Sequence, residues 1–126
     1  MRLLLDTDVV LWRFSGARNL GVAAREALRD ASEVSVSVVA FVEIGIKVGV
    51  GKLEAPADLE ARVVDDGARI LPIKPGHGLA LGRLPLHHRD PFDRLLIAQA
   101  LDEGLTILTS DAAFAAYDVR TLDPMR

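Results

Sequence analysis

Short apolar runs alternate with longer amphipathic stretches along this chain, and the alternation predicts both strands and helices. A continuous apolar run of a few residues fits a strand that is covered on both faces of its sheet. Runs of this kind predict strands at residues 3–5, 34–36, 69–73, 105–109 and 117–121. The last of them has the character of an edge strand.

The longer stretches, in which apolar residues recur every three or four positions, predict helices. They span residues 22–31, 38–48, 57–65, 76–83 and 91–103, and a short alanine-rich helix follows Asp111. The helix at 91–103 has the clearest ends, because Pro91 suits a first helical position and Gly104 suits the position after the last. Strands and helices that alternate in this way indicate an α/β domain with a mostly parallel sheet covered by helices.

The composition is that of a globular protein and fits one domain at residues 1–126. Half of the residues are hydrophobic and 26% are charged, whereas disordered chains carry fewer apolar residues. The chain has no cysteine, which excludes disulfides and thiolate metal sites and is expected of a cytoplasmic protein. The apolar run at residues 3–5 is too short for a membrane span or for the core of a signal peptide.

Four acidic residues are spaced so that a parallel sheet could bring them to one edge. Asp6 and Asp111 directly follow predicted strands. Asp93 opens the last long helix, and Glu43 lies inside the second predicted helix. Ligands of open parallel sheets bind beyond the carboxyl ends of the strands, so local sequence alone places three of these acids at that edge.

Carboxylates gathered in one pocket repel each other, and their burial disfavours the charged form. A divalent cation removes both penalties. Oxygen ligands without cysteine suit Mg²⁺ or Mn²⁺. A magnesium-type site made of carboxylates indicates phosphoryl-transfer or hydrolytic chemistry.

Each acid also has a structural interpretation. Asp6 could begin a turn, since aspartate after a strand often accepts hydrogen bonds from nearby amides. Asp8 is expected to cap a helix that begins at Val9, with a place in the pocket as the alternative. Glu43 could form an ion pair with Lys47 at the helix surface. The apolar neighbours of Glu43 favour a functional role, because a charge on a buried face needs a partner or a metal.

The segment from Asp90 to Asp93 has the strongest structural interpretation. Asp90 fits a helix N-cap followed by Pro91, an arrangement that stabilises a helix by about 1 kcal/mol without any function. Asp93 shares its helical face with apolar residues, so we assign Asp93 as a ligand and Asp90 as a cap that supports the site from outside. Asp111 could cap the alanine-rich helix, and Thr109 could supply a hydroxyl to the site.

The histidines and basic residues carry weaker signals. His87 and His88 are adjacent and cannot share a helical face, which argues against a zinc site. We expect them to be solvated loop residues, with contact to a phosphate or to an unstacked base as the alternative. The net charge of −3 gives no support for nucleic-acid binding, but it can hide a local basic surface. Candidates for such a surface are Arg89, Arg94 and Lys47.

Four segments share their order and separations with one protein family. They are residues 3–7 (LLLDT), 37–44 (SVVAFVEI), 88–100 (HRDPFDRLLIAQA) and 108–111 (LTSD) with Phe114. Together they resemble PIN-domain proteins, and specifically the VapC-type ribonuclease toxins. The resemblance covers residues 3 to about 122 of the chain.

The resemblance implies roles for individual residues. The metal-binding and catalytic acids of the family correspond here to Asp6, Glu43, Asp93 and Asp111. Asp90 matches a further acid that is common in the subfamily, and Thr109 matches a hydroxyl that supports the site. Asp8 stands where related chains often carry histidine or asparagine, so its place around the metal stays open.

The resemblance also implies the fold, the activity and the partners. The fold is a three-layer α/β/α sandwich with a mostly parallel sheet. The activity is cleavage of single-stranded RNA with Mg²⁺ or Mn²⁺, on a transfer, ribosomal or messenger RNA target. The partners are a second copy of the chain, in a homodimer, and a cognate antitoxin protein that blocks the cleft.

Two other functions fit parts of the sequence. Asp6-Thr7-Asp8 after an apolar strand looks like the opening motif of haloacid-dehalogenase-like phosphatases, with Asp6 as the nucleophile. Such an enzyme needs a lysine near the phosphate, and no lysine here has a convincing context. The non-enzymatic alternative is a PIN-like module that binds RNA or a protein partner without cutting.

Overall fold

The computed structural model describes residues 1–16 and 18–126, where the strands form one parallel sheet. They are β1 (Arg2–Leu5), β2 (Glu33–Ser37), β3 (Arg69–Leu71), β4 (Thr106–Leu108) and β5 (Thr121–Leu122). Their order across the sheet is β3-β2-β1-β4-β5, with β1 at the centre. Leu4 of β1 lies opposite Ser35 on one side and Ile107 on the other. The carboxyl ends of β1 and β4 are therefore neighbours at one edge.

Helices cover both faces of the sheet. They are α1 (Thr7–Ser15), α2 (Val22–Asp30), α3 (Val38–Gly49), α4 (Leu59–Asp65), α5 (Pro75–Ala80) and α6 (Pro91–Glu103), with a 3₁₀ helix at Ala112–Ala116. Side chains alternate along β1, so that Leu3 and Leu5 pack in one core and Leu4 packs in the other. The predicted three-layer α/β/α architecture is confirmed, and the described sheet is wholly parallel.

The second of these cores fixes helix α6 against the sheet. Leu96 and Ile97 are fully buried and pack with Leu4 and Ile107. Burial of one such side chain contributes about 2 kcal/mol. Asp93 lies three and four residues before them, on the same side of the helix and in its first turn. Packing of α6 therefore aims Asp93 at the carboxyl edge of the sheet.

Helix α1 corrects the prediction that Asp8 caps a helix beginning at Val9. The helix begins at Thr7, and Asp6 is its N-cap, with Asp6 Oδ1 accepting a hydrogen bond from Thr7 N at 2.8 Å. Asp8 lies inside the first turn of the helix and is exposed. The strand therefore passes into the helix through Asp6 itself.

The strand boundaries also differ from the predicted ones. Strand β3 stops before Pro72, which lacks the N–H group that a sheet ladder needs. The predicted edge strand at 117–121 is shorter and later, and β5 pairs only with β4. Tyr117 instead turns into the second core, where its hydroxyl donates to Pro85 O at 2.8 Å. No helix within residues 1–16 and 18–126 is long and apolar enough to cross a membrane.

Candidate functional site

A cleft of about 190 Å³ opens at the carboxyl edge of the sheet, and we call it the acid pocket. Its lining residues are Asp6, Thr7, Asp8, Glu43, Lys47, Asp90, Asp93 and Asp111. The backbone sets this arrangement, because Asp6 N donates to Leu108 O at 3.0 Å and so extends the pairing of β1 with β4 into the pocket. The structure thus brings together all four predicted acids, together with Asp8, Asp90 and Lys47.

Asp6 forms the floor of the acid pocket. Its side chain is 7% exposed, and its second carboxylate oxygen accepts a hydrogen bond from Thr109 Oγ1 at 2.7 Å. Burial raises the pKa of Asp6 to about 6, and the charges of Asp8 and Glu43 add to the rise. The hydrogen bonds from Thr109 and from Thr7 N oppose that rise without cancelling it.

Glu43 reaches the pocket from the middle of α3 and is 5% exposed. Its Oε1 accepts a hydrogen bond from Thr7 Oγ1, and its Oε2 pairs with Lys47 Nζ, both at 2.7 Å. The hydrogen bond to Glu43 raises the pKa of Lys47, which keeps the lysine cationic. The ion pair with Lys47, which was the structural alternative for Glu43, is present, but it lies in the pocket rather than on an exposed helix surface.

Asp90 caps α6 as the sequence predicted, whereas the role of Asp93 as a ligand stays a prediction. Asp90 caps α6, and its Oδ1 accepts hydrogen bonds from Phe92 N at 2.8 Å and from Asp93 N at 3.2 Å. The carboxylate of Asp93 is 13% exposed and points into the pocket. Burial, followed by the charges of Asp6 and Asp90, raises the pKa of Asp93 to about 7, although His88 opposes the rise.

Thr109 connects the two acids that follow strands. Its hydroxyl donates to Asp6 and accepts a hydrogen bond from Asp111 N at 3.0 Å. Asp111 is exposed and caps the 3₁₀ helix, with its Oδ1 accepting from Ala113 N at 2.9 Å. The predicted capping role of Asp111 and the predicted hydroxyl support from Thr109 are therefore both present.

His88 contacts two of the acids of the pocket, and the sequence did not predict these contacts. Its Nε2 lies 2.7 Å from Asp93 Oδ2 and 3.6 Å from Asp111 Oδ2, and its side chain is half-buried. The expectation of a solvated loop residue is wrong for His88, whereas His87 is exposed. No helical or strand spacing relates His88 to Asp111, so only the folded loop at residues 81–90 could have revealed the contact.

Arg94 corrects another prediction. Its side chain is 8% exposed, and its guanidinium donates to the carbonyl oxygens of Leu81 and Pro85, both at 2.9 Å. An arginine held in this way does not reach a polyanion at the pocket, so the structure contradicts the predicted RNA contact. Arg89 remains exposed, and Lys47 lines the pocket beside Glu43.

The charges of the acid pocket are not balanced by the protein itself. Six acids and one lysine line the cleft, and the raised pKa values of Asp6 and Asp93 reflect the cost of holding so many carboxylates together. Carboxylate oxygens from several elements are the donors that a hard divalent cation prefers. The residues present therefore fit Mg²⁺ or Mn²⁺.

The chain is similar to known proteins over most of its length. The PIN domain family matches residues 3–120. Ribonuclease VapC22 of Mycobacterium tuberculosis (strain ATCC 25618 / H37Rv) is 26% identical over 118 residues, which make up 91% of this chain and 91% of that protein.

Solved structures resemble the fold over nearly its whole length. The DNA-bound VapBC from Salmonella typhimurium matches with a TM-score of 0.69 and 18% identity over 98% of each chain. VapBC2 from Rickettsia felis, bound to a promoter DNA fragment, matches with a TM-score of 0.68 and 14% identity over 97% of this chain and 98% of that one. The family match spans the strands and helices that build the acid pocket, and the chain belongs to the PIN-domain family.

Proposed function

We propose that this protein is a metal-dependent endoribonuclease that cleaves single-stranded RNA and acts as the toxin of a toxin–antitoxin pair. The observation that carries the proposal is the acid pocket, where four acids from separate elements meet with too little positive charge to balance them. The similarity to ribonuclease VapC22 supports RNA as the substrate. One PIN domain spanning residues 1–126 is part of the same proposal.

The proposed ligands of the cation are Asp6, Glu43, Asp93 and Asp111, which are also the proposed catalytic residues. A bound Mg²⁺ or Mn²⁺ would supply Lewis acidity that activates water and neutralises charge on the scissile phosphate. Thr109 and Thr7 hold the carboxylates of Asp6 and Glu43 in place through hydrogen bonds of 2.7 Å. Such fixed carboxylates lose little freedom when they bind a cation.

Other charged residues have supporting roles in the proposal. Lys47 stays cationic beside Glu43 and can contact a phosphoryl oxygen of the substrate. Arg89 is exposed next to the pocket and can contact the RNA backbone. Asp90 and Asp8 line the pocket and add negative charge around the cation.

The phosphatase alternative is wrong, because the chain belongs to the PIN-domain family. Both carboxylate oxygens of Asp6 also accept hydrogen bonds, from Thr7 N and from Thr109 Oγ1. These hydrogen bonds hold the carboxylate of Asp6 in a fixed orientation.

The proposed partners are a cognate antitoxin and a second copy of the chain. The solved VapBC structures with this fold are toxin–antitoxin complexes, and their likeness over nearly the whole chain supports an antitoxin partner. An RNA substrate places the proposed activity in the cytoplasm. The homodimer is proposed from the resemblance to VapC-type toxins.

The decisive experiment is an RNA cleavage assay with the purified chain, free of any partner. A pool of labelled single-stranded RNAs and a sample of total cellular RNA are incubated with Mg²⁺, with Mn²⁺ or with chelator. We expect cleavage with either metal and intact RNA with chelator. The Asp93→Asn variant should lose roughly 10³-fold in rate, since a ligand charge is worth several kcal/mol.

The matched control is Asp102→Asn, the same substitution at the other end of the same helix, where the side chain is 61% exposed and far from the pocket. This variant should cleave RNA at the unaltered rate. Cleavage that persists in chelator, or an Asp93→Asn variant with ordinary activity, would contradict the proposal. Binding of RNA without cleavage in any metal would favour the non-catalytic module instead.

A further inference from the structure

A histidine side chain contacts two of the acids that line the acid pocket. His88 Nε2 lies 2.7 Å from Asp93 Oδ2 and 3.6 Å from Asp111 Oδ2. One ligand atom from each of these residues lies within 4.8 Å of the other two. A six-coordinate cation with bonds of about 2.1 Å holds neighbouring ligand atoms about 3.0 Å apart and opposite ones about 4.2 Å apart. The three atoms are therefore close enough for small shifts of the side chains to place them around one cation.

The loop fixes this histidine in position before any cation binds. His88 N donates to Tyr117 Oη at 2.9 Å, and His88 O accepts from Arg94 Nη1 at 3.4 Å. The imidazole ring also packs edge-on against Phe114, with 6.3 Å between the ring centroids. Tyr117, Arg94 and Phe114 are all buried, so the core of the protein determines where the imidazole points.

We propose that His88 is a nitrogen ligand of the divalent cation and that it gives this protein a preference for Mn²⁺ over Mg²⁺. The inference rests on the proposed function, because it concerns the same cation. Mg²⁺ strongly prefers oxygen ligands and retains several waters, whereas imidazole nitrogen suits transition metals. A nitrogen among carboxylates therefore favours the transition metal of the two.

A purely structural role for His88 requires a different protonation of its Nε2 atom than a role as ligand does. As a hydrogen-bond partner of Asp93, Nε2 carries the ring proton and donates it to the carboxylate. As a ligand, Nε2 presents its lone pair to the cation, and the proton resides on Nδ1. Direct observation of the nitrogen next to the metal separates the two roles.

The first test is pulsed electron paramagnetic resonance of the protein loaded with Mn²⁺. We expect coupling between the manganese electron spin and a ¹⁴N nucleus of an imidazole ring. The coupling should disappear in His88→Gln and persist in His87→Gln. His87 is the matched control, because it is the adjacent histidine but is exposed and packs on Tyr117 outside the pocket.

The second test is calorimetric titration of the same variants with MnCl₂ and with MgCl₂. The preference for Mn²⁺ over Mg²⁺ should fall about tenfold in His88→Gln, mainly through weaker Mn²⁺ binding. It should be unchanged in His87→Gln. Thermal unfolding in chelator checks that both variants are folded.

The outcomes separate this inference from the proposed function. Manganese that binds with no ¹⁴N coupling, or with coupling that survives in His88→Gln, overturns the role of His88 and leaves the carboxylate site intact. An unchanged metal preference in His88→Gln overturns the selectivity. Failure of the folded wild-type protein to bind either metal overturns the cation site itself, and both proposals with it.

Discussion

A histidine and two acidic side chains meet at each end of helix α6, but the protein balances the charges of only one of the two groups. At its first turn, His88 lies beside Asp93 and Asp111, with Nε2–Oδ2 distances of 2.7 and 3.6 Å. At its last turn, His77 Nε2 lies 3.1 Å from Asp102 Oδ2 and 3.9 Å from Glu103 Oε1. By distance alone, either group could hold a metal ion.

At the last turn of α6, His77, Asp102 and Glu103 already have hydrogen-bond or ion-pair partners within the protein. The ring of His77 is 0% exposed, and its Nδ1 accepts a hydrogen bond from Lys74 N at 3.0 Å. Nε2 must therefore carry the ring proton, which it donates to Asp102. Lys74 Nζ pairs with Glu103 at 2.9 Å and balances its charge. A cation would have to displace a proton and a lysine that the fold already uses.

The group at the first turn lacks this balance. Six acids and one lysine line the acid pocket, and the pKa of Asp93 is raised to about 7. Residue types and spacing do not separate a structural cluster from a binding site. A structural cluster differs from a binding site in two ways. In the structural cluster, the second ring nitrogen of the histidine has a hydrogen-bond partner, and the acidic side chains are balanced by a cation of the protein.

The largest expected effect is on metal affinity as the pH changes. Protons compete with the cation for Asp6 and Asp93, whose pKa values are about 6 and about 7 without metal. Affinity for Mn²⁺ should therefore fall as the pH is lowered, by roughly 10³-fold between pH 8 and pH 5. Calorimetric titration across this range measures the change. The Asp102→Asn variant should show the same pH dependence, and a flat profile would contradict the raised pKa values.

Replacement of each histidine by alanine should separate the two ends by stability. His77→Ala removes a fully buried ring and leaves Lys74 N without its acceptor, so we expect a loss of about 2 to 3 kcal/mol. His88→Ala should cost about 0.5 kcal/mol or less in chelator, because its ring is half-buried and its removal opens the Asp93 carboxylate to water from the cleft. Urea unfolding of both variants measures the difference. Equal losses would mean that His88 is as structural as His77.

Asp93→Asn should stabilise the metal-free protein at pH 8. The pKa of Asp93 in the folded state lies above the ordinary value of 3.8, so its favourable contribution is complete below pH 4 and is lost as the pH rises through about 7. At pH 8 the charged carboxylate is a cost, and its removal should add about 1 to 2 kcal/mol to the free energy of unfolding.

No gain in the free energy of unfolding is expected from the same substitution at the other end of the helix. Asp102→Asn weakens the hydrogen bond from His77 and should not stabilise the protein. Urea unfolding in chelator at pH 8 compares the two variants directly. If Asp102→Asn stabilised the protein, or if Asp93→Asn destabilised it, the two ends of α6 would not differ in how well the protein balances their charges.

The smallest effect concerns Asp90, which caps the first turn of α6. Asp90→Ala should cost about 1 kcal/mol, whereas Asp90→Asn should cost little, because asparagine also caps helices well. Melting temperature and RNA cleavage are measured on both. Loss of cleavage in Asp90→Asn without a change in melting temperature would place Asp90 among the direct metal ligands.

Features with local causes could be predicted from the sequence. The bounds of α6 agree with the prediction at both ends, because Asp90 and Pro91 start the helix and Gly104 stops it with φ of 70°. The layered architecture followed from the alternation of apolar runs and amphipathic stretches. The meeting of Asp6, Asp93 and Asp111 at one edge followed from their places after strands and at a helix start, whereas the place of Glu43 in the pocket depends on how α3 packs.

Features with distant causes could not be predicted. His88 contacts Asp111 across 23 positions of the chain, through a loop whose path depends on Arg94 and Tyr117. Arg94 has the sequence context of a surface arginine on a helix, and only the carbonyl groups around it show that it is buried. Asp6 N pairs with Leu108 O, a contact between residues 102 positions apart that no local pattern in the sequence indicates.

The contacts of Arg94 determine which positions of the loop at residues 81–90 can be substituted in evolution. The guanidinium of Arg94 donates hydrogen bonds to the backbone carbonyl oxygens of Leu81, Leu84, Pro85 and His88. It binds no side chain of the loop at residues 81–90. Arg83 and Leu86 are exposed and can be exchanged without loss of these hydrogen bonds. The loop can therefore exchange exposed side chains, while its path stays constant.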